Sequence, residues 1–198
     1  KLPVNKDPLP VHKFRRPVPA DKIMDMAWER IKQAKRPVII AGNGCIRRRA
    51  SKQLRLLCEQ TGIGVISTFM AKGCVDMDAS YCLYTIGLGS KDIPACAVDA
   101  ADLVITLGYD MVEYHPKLWN EQHAKPIIHI DFLPAEIDED YQPDIEVVGD
   151  LAHALWMLNE RAEADKNWSF DLDQQAAVRR DMMAELAVHK DDKTENAT

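Results

Sequence analysis

The stretch Pro37-Val38-Ile39-Ile40-Ala41-Gly42-Asn43-Gly44 decides the fold. Five apolar residues run without polar alternation and stop at two glycines. A strand with one wet face alternates, whereas a strand covered on both faces does not, and that is the signature of a parallel sheet. Three further runs read the same way: Gly64-Val65-Ile66-Ser67-Thr68, Leu103-Val104-Ile105-Thr106-Leu107 ending at Gly108, and Pro126-Ile127-Ile128-His129-Ile130-Asp131. Ile145-Glu146-Val147-Val148 is a shorter strand, and another short one is expected near 83–86.

Helical periodicity fills the gaps. Ile23, Ala27, Ile31 and Ala34 predict a helix over 21–35 with Asp21 as its cap; Leu54, Leu57 and Cys58 predict one over 47–60. Shorter signals place helices at 92–99 and at 151–161 behind an Asp150 cap, with a last one at 172–187 and a frayed polar tail from His189. Strands alternating with helices give an α/β domain: a doubly wound parallel sheet, Rossmann-like. The expected organisation is a linker over 1–19, where five prolines stand, a domain over 20–163, and a C-terminal helix and linker over 164–198.

Composition narrows the function. The 198 residues carry a formal charge of −6 and 46% hydrophobic side chains, an ordinary globular mix. Charge is uneven: residues 1–60 hold 15 Lys/Arg against 5 Asp/Glu. Only Phe14 and Trp28 are aromatic within residues 1–60, too few for a stacking platform, which argues against nucleic acid, and no apolar run is long enough for a membrane span. Five cysteines without a CxxC pair suggest neither a zinc site nor a disulfide framework, and reduced thiols point to the cytoplasm. The missing zinc pairs also disfavour a sirtuin-like deacylase.

In an open α/β sheet, ligands sit along the carboxyl edge. Gly42-Asn43-Gly44 lies there, between a strand and a helix, where backbone amides can face a phosphate. The full GxGxxG pattern fails at Arg47, and no ribose-binding acid follows the second strand, which ends Ser67-Thr68-Phe69. A standard NAD site is therefore not expected. Arg47-Arg48-Arg49 at a helix start would oppose the dipole and need an anion to offset them. Asp131 can accept from a ribose or an amine, or serve the turn at Pro134-Ala135-Glu136. Asp110 and Glu113 could form a carboxylate pair, yet no nucleophile or metal spacing accompanies them. No catalytic residue and no metal ligand is expected.

Several segments are similar to the central domain of thiamine-diphosphate-dependent enzymes. They are Ala34 to Gly44, Asp99-Ala100-Ala101-Asp102-Leu103-Val104-Ile105 with Gly108, Ile127 to Asp131 with Pro134 to Ile137, and Val147-Val148-Gly149-Asp150. The loop with Val112-Glu113-Tyr114 and Lys117-Leu118-Trp119-Asn120 most resembles the catabolic branch of acetolactate synthases, with oxalyl-CoA decarboxylase as a related alternative. The resemblance implies a three-domain parent, a cytoplasmic homo-oligomeric transferase of branched-chain or acetoin metabolism. The parent would decarboxylate pyruvate and pass the two-carbon unit to a second 2-oxo acid. Thiamine diphosphate and Mg²⁺ would be bound by the other two domains, leaving this piece inactive alone. Biosynthetic relatives hold a structural FAD here and carry an Arg after the fourth principal strand, where this chain has Tyr109-Asp110. If FAD or ADP binds, or if the chain is a free-standing FAD, ADP or coenzyme A module, the expected contacts are Gly42, Asn43, Gly44, Thr68, Gly87, Gly108, Tyr109 and Asp131.

Overall fold

A computed structural model describes residues 16–87 and 92–195, with side chains up to residue 188. Six strands are present: β1 (Pro37–Ala41), β2 (Val65–Thr68), β3 (Cys82–Ile86), β4 (Leu103–Leu107), β5 (Ile127–Asp131) and β6 (Ile145–Val148). They form one sheet in the order β3-β2-β1-β4-β5-β6, and every pairing is parallel. The order reverses between β1 and β4, so a crevice is expected at their carboxyl ends.

Alternate strand residues enter opposite cores. Ile39, Ala41, Ile105, Leu107, Ile128 and Ile130 pack beneath α1 (Asp21–Gln33), α3 (Ser51–Thr61) and α5 (Leu151–Ala164). Val38, Ile40, Ile66, Val104 and Ile127 face α4 (Ala95–Ala100), the start of α6 (Asp173–Glu195) and a group of tyrosines. Both faces being dry explains why the strand sequences do not alternate.

Several boundaries differ from expectation. The helix expected over 47–60 is two helices, a single turn α2 (Asn43–Arg47) and α3. Arg49 takes a left-handed conformation between them (φ 56°), and Ala50 N–H bonds Cys45 O at 2.9 Å. Arg47 therefore closes α2, where a cation suits the dipole, and the arginines do not open the long helix. Asp21 lies inside the first turn of α1, with Ala20 as the cap, and its carboxylate meets Arg161 at 3.3 Å. The helix expected at 92–99 begins at Ala95 after Pro94. The last helix runs to Glu195, so the backbone over 189–195 of the tail expected to fray is helical, and residues 196–198 lie outside the described residues. Of the proposed linker, residues 1–15 lie outside the described residues. Residues 16–19 fold back on the β6–α5 turn: Pro17 O accepts from Asp150 N–H (2.8 Å), and Arg16 pairs with the Asp150 carboxylate (2.9 Å).

Asp150 is the expected cap, accepting from His153 N–H at 3.0 Å. Asp150→Ala should cost about 1 kcal/mol or somewhat more, since it removes both the cap and the Arg16 partner. Urea denaturation measures this; an unchanged midpoint would contradict it. Among the described residues, no helix is long and apolar enough to cross a membrane.

Candidate functional site

The glycine loop after β1 and the loop after β4 touch backbone to backbone. Gly42 N–H donates to Leu107 O (2.8 Å), Gly44 N–H to Gly108 O (2.9 Å) and Cys45 N–H to Gly42 O (3.0 Å). A Cβ on Gly44 would lie 2.5 Å from Gly108 Cα, and one on Gly42 would lie 2.6 Å from Tyr109 Cα. Gly108 also has φ +55°, and its own Cβ would fall 2.5 Å from Gly44 Cα. Glycine is needed here because two main chains cross at contact distance. The sequence reading had these glycines presenting amides to a phosphate; the amides of Gly42, Gly44 and Cys45 are already bonded within the protein. The crevice at the β1/β4 reversal is thus shut by the chain itself.

An open cleft of about 290 Å³ lies one strand further along, above β4 and β5. One wall is Asn43, Arg47 and Arg48; the other is Asp131 to Pro134 with Glu136, and Asp110 and Met111 complete the rim. Arg48 lies over the Phe132 ring, 4.1 Å from its centroid. Tyr109, His129 and Tyr141 form the floor.

The floor is a bonded aromatic block. Trp119 Nε1 donates to Tyr109 Oη (3.1 Å), and Tyr109 Oη donates to Tyr114 O. Tyr141 Oη lies 2.7 Å from Thr106 Oγ1 and 2.8 Å from His129 Nδ1, while His129 Nε2 lies 3.2 Å from Leu133 O. Thr106 Oγ1, which also donates to Ile128 O (3.3 Å), Tyr141 Oη and the His129 ring form one buried hydrogen-bonded chain that ends at Leu133 O. The Tyr109 and Tyr141 rings are 5.5 Å apart, and burial drives both phenols far above their usual range. Asn120 pins the block from outside, donating to Asp140 O at 2.9 Å and accepting from Lys125 N–H at 2.8 Å.

Of the residues singled out from sequence, Asn43, Gly44, Gly108, Tyr109 and Asp131 meet at this cleft, and Gly42 supports it from behind. Thr68 and Gly87 belong elsewhere. Thr68 is fully buried and donates to Glu113 Oε2; Gly87 (φ +96°) donates its N–H to Asp92 Oδ2 at 2.8 Å beside the Tyr114 ring. Asp110 accepts from Val112 N–H (2.9 Å), so Asp110 and Glu113 are each engaged locally. Sequence reasoning missed the Arg48–Phe132 contact and Tyr141.

Asp131 accepts from Phe132 N–H, which is the turn role. Burial raises its carboxyl, partly offset by that N–H, by His129 and by Arg48. A folded carboxyl raised above its unfolded value is stabilised when protonated, so the Asp131 contribution to stability is lost as pH rises through the carboxylate range. Asp131→Asn, which keeps the acceptor, should leave thermal stability at pH 7 equal or slightly higher; a clear fall would contradict this.

The thiols behave as core residues. Cys45, Cys58, Cys74 and Cys82 are buried, and burial raises all four, Cys74 to about 11. Cys96 is exposed. A thiol reagent should react fast with one cysteine of the native chain and with all five after denaturation; two or more fast thiols would contradict the packing.

The family profile described as thiamine pyrophosphate enzyme, central domain, matches residues 24–158. The chain belongs to that family. The match runs from α1 into α5 and spans all six strands. Among curated relatives, the central-domain chain is 36% identical over 137 residues to an acetolactate synthase of Bacillus subtilis (strain 168), covering 69% of this chain and 24% of that protein. It is 33% identical over 159 residues to the glyoxylate carboligase of Escherichia coli O157:H7 (79% and 26%). With the catabolic acetolactate synthase of Raoultella terrigena it shares 32% over 145 residues (72% and 26%). The chain spans about a quarter of the length of these relatives.

The fold family implies thiamine diphosphate and a divalent ion, and the central domain's own residues do not fit them. Among the described residues no three His, Cys, Asp or Glu side chains group to hold a metal. The Gly149-Asp150 turn spends its carboxylate on the α5 cap and Arg16. A flavin dinucleotide gains little from this loop, since the Gly42, Gly44 and Cys45 amides are bonded inward.

Proposed function

We propose that this chain is the central domain of an acetolactate-synthase-type carboligase. The parent would decarboxylate pyruvate and join the two-carbon unit to a second 2-oxo acid. The observation that carries this reading is the 36% identity to an acetolactate synthase across 69% of the chain. Thiamine diphosphate supplies the carbanion stabilisation in such enzymes, and its binding, with Mg²⁺, falls to polypeptide outside this chain.

The central domain's part is positional. The loop over Tyr109 to Asn120 builds a solid floor rather than a ligand contact: Tyr114 and Trp119 bond Tyr109, and Asn120 ties the loop to Asp140. A domain filled in this way holds its shape without a flavin and offers the rest of the parent, and other subunits, a rigid face.

The test is product analysis with the full-length protein, thiamine diphosphate and Mg²⁺. Acetolactate from pyruvate is the expected result, with no product from the 198-residue chain alone. Condensation of glyoxylate with no acetolactate from pyruvate would overturn the assignment.

A further inference from the structure

The cleft's two walls carry opposite charge and touch where Arg48 lies over the Phe132 ring. Arg47 and Arg48 stand on one side; Asp131 and Glu136 stand on the other, with Asp110 at the rim. Among the described residues, no ion pair within 4.0 Å joins either arginine to any of these acids. Yet Arg48 covers Phe132, the neighbour of Asp131, so the two signs are separated by little more than one side chain. Opposite charges brought this close without pairing leave room for a molecule between them.

An anion entering alone would meet two guanidinium groups and three carboxylates. A cation alone would meet the guanidinium groups. Only a ligand bearing both signs finds a complement on each wall, because like-charge juxtaposition costs what the attraction supplies. At about 290 Å³ the cleft sits at the lower limit of small-molecule pockets. Its floor of Tyr109 and Tyr141, with Phe132 and Met111 at the sides, suits an apolar side chain.

We propose that this cleft binds a small zwitterion, an α-amino acid with an apolar side chain. Its carboxylate lies toward Arg47 and Arg48 and its ammonium toward Asp131. The site is separate from the carboligase chemistry, and its failure would leave the acetolactate assignment standing.

L-Methionine is a suitable probe, since its thioether packs well on aromatic rings. Calorimetry with the full-length protein would compare L-methionine with N-acetyl-L-methionine, which lacks the ammonium, and L-methioninamide, which lacks the carboxylate. L-Methionine should bind, each derivative at least about tenfold more weakly, because each loses a charge-assisted contact. Arg48→Gln and Asp131→Asn should each weaken L-methionine about tenfold or more while thermal unfolding shows both folded. No heat with L-methionine would overturn the proposal. So would equal binding of either derivative, which marks a plain anion or cation site, or unchanged affinity in both variants.

Discussion

Gly44→Val is expected to lower stability by about 3 kcal/mol or more, a fall of roughly 6–12 °C in melting temperature for a chain of this size. The first added atom would lie 2.5 Å from Gly108 Cα and 3.0 Å from Gly108 O. Those are main-chain atoms of a strand end paired on both sides, so they cannot swing away as a side-chain tip would. Moving them would break Gly44 N–H···O=C Gly108 and strain the neighbouring Gly42–Leu107 bond. Gly73→Ala is the useful contrast. Its Cβ would meet nothing within 4 Å, so only the strain of φ +91° applies, about 1 kcal/mol. Thermal unfolding separates the two. Equal losses would mean that the contact with the Gly108 loop does not demand glycine at 44.

Gln175→Leu should detach the start of α6 from the sheet. The Gln175 carboxamide is buried and bonds two main-chain groups at the amino edge: its oxygen accepts from Gly64 N–H and its nitrogen donates to Pro37 O, both at 2.7 Å. Leucine matches it in size and satisfies neither. Two buried groups left without partners cost about 2–4 kcal/mol together. Arg179, one turn on, caps Met77 O, Cys82 O and Asp78 O at the edge strand β3 and stacks on Tyr84. With Gln175 gone, Arg179 and the buried Val178 side chain are left to tie α6 to that edge. Faster amide exchange at Gly64 and protease cleavage within 173–188 are the expected readouts. Wild-type protection at Gly64 would show that α6 is not anchored there.

These two positions also show what could be read from residues alone. The strands were legible because a strand dry on both faces writes an unbroken apolar run, as Val38 to Ala41 and Leu103 to Leu107 do. The Asp150 cap was legible because capping is local. The glycine loop was half legible. Glycine reports that something comes close, without saying whether it is a ligand or another loop, and Gly108 lies 64 residues from Gly44. The break at Arg49 left no mark, since arginine has no turn signature and its left-handed backbone depends on seating Cys45 and Ala50 in the core. The aromatic floor joins Tyr109 to Tyr141 through a contact that no periodicity encodes. Gln175 reads as a polar helix residue until the two main-chain groups it serves are known.

The central claim is that this domain has closed its own nucleotide crevice with main chain and aromatic side chains. Titration of the purified full-length protein with FAD and with ADP, followed by flavin absorbance after desalting and by thermal shift, tests it most directly. The predicted result is colourless protein and an unmoved melting temperature with either nucleotide. One equivalent of retained flavin, or a rise of several degrees at saturating ligand, would contradict it.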